Sequence, residues 1–98
     1  MAYSGQFDKQ PAEIQTKTVT FASRLASGET VSSATVTSRV LSSGTSASVA
    51  TYSSLSSPVV TFKASGGTSG VDYVITVKAT TSLSNVHEAD ILMRVMAS

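Results

Sequence analysis

The chain has 98 residues, a formal net charge of +1, one histidine and no cysteine. That length makes one domain with one modest core, and the composition excludes disulfides and thiolate metal sites and speaks against a structural zinc site. The seven basic residues are scattered and form no stripe that would gain from phosphate contacts, so nucleic-acid binding is not expected.

Residues 1–15 show no periodicity and read as an extended N-terminal arm, with one folded domain expected over 16–98. The arm carries Tyr3, Phe7 and Pro11, and its two isolated aromatics imply that it docks, either on its own domain or on a neighbour. Nothing in Met1 to Lys9 forms the apolar segment of a signal peptide, so synthesis in a cytoplasm is expected. No apolar run is long enough for a membrane helix, and no membrane partner is expected.

Thr16 to Ala22 alternates, with Val19 and Phe21 on one face and Thr18 and Thr20 on the other, which predicts a strand. Ala26-Ser27-Gly28-Glu29 is a turn. Thr30 to Val36 is the next strand, with Ala34 and Val36 on one face and Val31 on the other, and Arg39-Val40-Leu41 either continues it or begins another. After the turn Ser42–Thr45, a short strand is predicted over Ala47 to Tyr52, then a loop over Ser53 to Pro58, then a strand over Val59 to Ala64. Ser65-Gly66-Gly67-Thr68-Ser69-Gly70 leads to a final ribbon.

The ribbon's register follows from its pattern. Val71, Tyr73, Ile75, Val77 and Ala79 alternate, as do Ala89, Ile91, Met93 and Val95, with a polar turn at 80–86 between them. Folding about Leu83 pairs Tyr73 with Met93, Ile75 with Ile91 and Val77 with Ala89 on the inner face. The same fold pairs Asp72 with Arg94, Val74 with Leu92, Thr76 with Asp90 and Lys78 with Glu88 on the outer face. Two opposite-charge pairs and the apolar pairs thus agree on one register.

Short strands separated by Gly-rich or Ser-rich turns predict an all-β fold, specifically an immunoglobulin-like β-sandwich of about seven strands. Tyr73 follows a glycine turn at the start of a late strand, where such sandwiches return a tyrosine hydroxyl to the upstream backbone. The chain has no tryptophan and no cysteine pair, so it is not an antibody-type domain.

Charged residues make up 13% of the chain, against about 25% in ordinary soluble domains. Their place is taken by 19 serines and 13 threonines. These suit strands and loops, and they also let a surface pack against other proteins without burying unpaired charge.

His87-Glu88-Ala89-Asp90 is the one cluster of catalytic residue types. On a strand His87 points away from Glu88 and Asp90, so the three cannot converge. The 65–70 loop opens no helix and carries no lysine, so it is a turn rather than a phosphate cradle. No serine is matched by a histidine relay. No catalytic residue, cofactor or metal ligand is therefore expected. Among the aromatics, Phe21, Phe62 and Tyr73 fit core positions, which leaves Tyr3, Phe7 and Tyr52 for contacts outside the domain. Tyr3, Phe7, Pro11 and Tyr52 are the expected protein-interface residues, and edge strands are a further means of joining subunits.

Several stretches, taken in order, resemble one family. They are Phe7-Asp8-Lys9-Gln10-Pro11-Ala12-Glu13, Val19-Thr20-Phe21-Ala22 with Leu25, and Gly28-Glu29-Thr30-Val31 through Val36. The order continues with Ser65-Gly66-Gly67-Thr68-Ser69-Gly70-Val71-Asp72-Tyr73, Val77-Lys78-Ala79-Thr80-Thr81 and Glu88-Ala89-Asp90. Together they resemble small virion proteins of tailed bacteriophages, with residues 38–57 matching least. The resemblance implies a one-domain immunoglobulin-like sandwich without catalytic residues. It implies a structural role as a head decoration, neck or fibre-to-tail adaptor subunit, acting through protein–protein contacts in the virion. The partners it implies are other virion proteins; association with further copies of the chain is expected separately, because a domain this small has neither disulfides nor a metal site to support it. The alternative is a sandwich that binds a glycan or another host-surface ligand through Tyr52 and the loops at one end.

Overall fold

In the computed structural model, which describes residues 5–22 and 25–96, eight strands form two packed sheets. They are β1 (Gly5–Lys9), β2 (Gln15–Thr20), β3 (Val31–Val40), β4 (Ser46–Ala47), β5 (Ala50–Ser56), β6 (Val59–Ala64), β7 (Asp72–Thr81) and β8 (Val86–Val95). The larger sheet has the order β1-β8-β7-β3-β4 and the smaller β2-β6-β5. All neighbours are antiparallel except β1, which runs parallel to β8. A three-stranded sheet of the second, sixth and fifth strands facing one built on the third, seventh and eighth is the immunoglobulin-like arrangement.

The β7–β8 ribbon has the register expected from its alternation, from Asp72 opposite Arg94 to Lys78 opposite Glu88. Tyr73, Ile75, Val77, Ala89, Ile91 and Met93 are buried in the core, joined by Val60 and Phe62 from the smaller sheet and by Phe21 just beyond β2. Val74, on the opposite face, is also fully buried, flanked in register by Arg39 and Leu92. The Asp72 and Arg94 side chains approach to 3.7 Å, as their pairing predicts.

Three local expectations change. Val31 is buried and faces the core with Ala34 and Val36, because a bulge between Val31 and Ser33 shifts the phase of β3. Residues 53–56, expected as loop, continue β5 to Ser56, and Ser46–Ala47 is a separate strand. The segment expected as an extended arm forms, over residues 5–9, an edge strand of its own domain.

That edge strand is anchored at its end. Lys9 is 2% exposed, and its ammonium donates to the carbonyls of Gln10, Pro11 and Glu13 at 2.8, 3.3 and 2.9 Å. A lysine has three donors, so the buried charge is fully hydrogen-bonded, which is what permits its burial. The turn into β2 therefore forms around the lysine head group.

Candidate interaction surfaces

The residues of catalytic type do not converge on one site. Asp90 accepts a hydrogen bond from the Thr76 hydroxyl at 2.8 Å and lies 4.0 Å from Arg39, which itself donates to Thr76 Oγ1. Glu88 stands opposite Lys78 on the outer face of the sheet. His87 lies on the inner face, and its Nε2 is buried with no hydrogen-bond partner among the described residues. No group of three or more His, Cys, Asp or Glu that could hold a metal ion occurs among them. None of their helices is long and apolar enough to cross a membrane.

The glycine-rich 65–70 segment is a corner. The Thr68 amide donates to the Tyr73 hydroxyl at 3.0 Å, and the Gly70 amide donates to the Val95 carbonyl. Gly67 has φ near +98°, and a Cβ there would lie 2.8 Å from Val95 Cγ2. The segment needs glycine at that position for close packing, not for a ligand.

Of the four expected interface residues, the three that are described lie on separate parts of the molecule. Tyr3 lies outside the described residues. Phe7 is half-buried against the core, with the Lys17 ammonium 4.8 Å from its ring centre. Pro11 sits in the turn held by Lys9. Tyr52 is on β5, at the other side of the smaller sheet from β2, and is 42% exposed. It is the one exposed aromatic among the described residues.

The molecule's exposed aliphatic side chains lie mainly at its two ends. The Cα envelope measures 44 × 24 × 19 Å. At one end lie Ile14, in the β1–β2 turn, Leu41, whose amide bonds Asp72 at the start of β7, and Met96, just beyond β8. At the other end lie Leu83, exposed in the β7–β8 turn, and Val86, exposed at the start of β8. Ten residues of extended β7 separate the two groups, about 30 Å of strand. Sequence reasoning did not single out these residues. The available signal was a bulky apolar side chain inside a polar turn, as with Leu83 within 80–86.

Buried hydrogen bonds hold the second end in shape. Glu29 is 6% exposed and accepts from the Ala26 amide at 2.8 Å, from the Thr81 hydroxyl and from the Asn85 side-chain amide at 3.1 Å. The Thr81 hydroxyl bond above all, then the Ala26 amide and Asn85, hold the Glu29 carboxyl below its ordinary value of 4.5. Thr30 and Ser82 exchange two further bonds alongside. Leu83 is thus presented on a turn tied to the start of β3.

Along one side, a cleft of about 520 Å³ opens between β1 and β2, floored by Val19, Phe62, Ala89 and Ile91. β2 forms the free edge above it.

The family described as podophage GP4 fiber-tail adaptor protein gp77 matches residues 9–94. No curated protein and no solved structure matches the chain.

Proposed function

The chain belongs to the podophage fiber-tail adaptor family, and from that premise we propose that it links tail and fibre proteins through contacts at the two ends of the sandwich. The observation that carries this is the separation of its exposed aliphatic residues, with Ile14, Leu41 and Met96 at one end and Leu83 and Val86 at the other. An adaptor must hold two different proteins at once, and opposite ends of a 44 Å module do so without overlap. Phe7 and Pro11 lie beside the first end and shape it, and Tyr52 offers a lateral contact. What supports a tail site over head decoration or the neck is the family's description. The weakly charged, Ser/Thr-rich surface suits a module surrounded by other proteins, and several copies act together in the particle. No chemical step is part of this role.

The test is capture of purified tail and fibre proteins by two variants. Leu83→Asp with Val86→Ser should lose one partner and keep the other, and Ile14→Asp with Met96→Ser should do the reverse. Retention of both partners by both variants would refute contact through the ends.

A further inference from the structure

We propose that two copies of this chain join through β2, edge to edge about a two-fold axis centred on Thr18, making one continuous sheet across the pair. This rests on the reading of the chain as an assembly subunit and names the contact between its copies.

The sandwich has four sheet edges, and three are blunted. β4 is two residues long, and β5 carries a bulge between Tyr52 and Ser54. At β1 the Asp8 carbonyl is capped by the Gln15 side chain at 3.3 Å. Short strands, bulges and covering groups are how edges are kept from pairing. β2 is neither short, bulged nor capped: it is six residues long and regular in its pairing with β6, and its one charge, Lys17, is turned from the edge onto the Phe7 ring of β1.

Its hydrogen-bonding groups are free on one side. The Phe21 amide donates to the Pro58 carbonyl, so in this antiparallel pair the odd-numbered residues bond to β6. The N–H and C=O groups of Thr16, Thr18 and Thr20 therefore point outward, and among the described residues they have no backbone partner.

The strand is complementary to itself. With Thr18 opposite its own copy, Thr16 falls opposite Thr20, and each pair exchanges two backbone bonds. The exposed Thr16, Thr18 and Thr20 side chains form a threonine ladder on the outer face, and threonine pairs favour such contacts. On the inner face Lys17 falls opposite Val19, so no charge meets a like charge. Because the same strand serves both copies, the interface closes as a dimer rather than growing into a fibre.

The test is the concentration dependence of solution mass for the full chain, with amide exchange read residue by residue. The expected result is a dimer in which exchange at Thr16, Thr18 and Thr20 slows as concentration rises, while the outward amides of Tyr52 and Leu55 on β5 do not respond. Thr18→Pro removes one outward N–H and no bond to β6, and Thr18→Lys sets two like charges opposite each other across the axis. Each should weaken self-association about tenfold or more, with the β-sheet signal of the monomer retained. If the proline variant does not fold, the lysine variant carries the test alone. A monomer at every concentration, or a dimer indifferent to the substitution at Thr18, overturns the proposal. Neither result touches the end contacts: a monomer that still captures tail and fibre proteins leaves the adaptor reading standing.

Discussion

The Thr81 hydroxyl donates to the Glu29 carboxylate across 52 positions of sequence, joining the turn before β3 to the end of β7. With the Ala26 and Asn85 bonds, it makes a buried carboxylate the organising group of one end of the molecule.

This bond makes stability depend on pH. The folded Glu29 carboxyl titrates below its ordinary value of 4.5, chiefly because of the Thr81 hydroxyl. Its stabilising contribution is therefore complete above that value and is lost as pH falls through the folded pKa. Glu29→Gln should lower the urea midpoint at pH 7, and its gap from wild type should narrow steadily toward pH 3. A gap of constant size over that range would show that ionisation of Glu29 does not contribute.

The corner at Tyr73 should respond to two substitutions by different amounts. Tyr73→Phe deletes the acceptor for the Thr68 amide and should cost about 1 kcal/mol. Gly67→Ala drives a Cβ into Val95 at positive φ and should cost more, roughly 1–3 kcal/mol. Urea unfolding of both variants measures the order, and a Gly67→Ala protein as stable as wild type would contradict the close approach.

Lys9 should prove structural despite its charge. Lys9→Met keeps much of the buried stem but leaves the Gln10 and Glu13 carbonyls without their donor. A loss of about 1–3 kcal/mol is expected. Faster amide exchange confined to β1 and the 10–14 turn would accompany it. Unchanged exchange there would mean the turn holds without the ammonium.

Burial separates the ribbon from the ends. Ile75→Ala removes a fully buried side chain and should cost about 2–5 kcal/mol. Ile14→Ala, at a side chain 70% exposed, should change stability by less than about 0.5 kcal/mol. An Ile14 effect as large as that at Ile75 would place Ile14 in the core and remove it from the proposed contact surface.

The β7–β8 ribbon was readable because nine residues on each side alternate, interrupted only by the paired Val74 and Leu92 on the outer face, and the charge pairs Asp72–Arg94 and Lys78–Glu88 agree with the apolar ones. The tyrosine corner was readable from its place after the glycine turn. Simple alternation places Val31 on the wrong face because it cannot anticipate a bulge that adds one residue. β5 was cut short for the same reason: Ser53 breaks its period, and an exposed edge strand has little apolar pattern to break. Lys9 and Glu29 look like ordinary surface charges in sequence, since their burial depends on carbonyls and hydroxyls brought together only by the fold. The end surfaces and the free edge were illegible for a related reason. Ile14 and Leu83 share no sequence pattern, and which strand lies at an edge is a property of topology.

The most direct test of the adaptor role is electron cryomicroscopy of the intact particle, with the sandwich fitted to the density between tail and fibres. The account predicts density for this domain at that junction, its Ile14–Leu41–Met96 end on one protein and its Leu83–Val86 end on the other. Density for the domain on the head instead, or a junction that contacts it only along one sheet face, would contradict it.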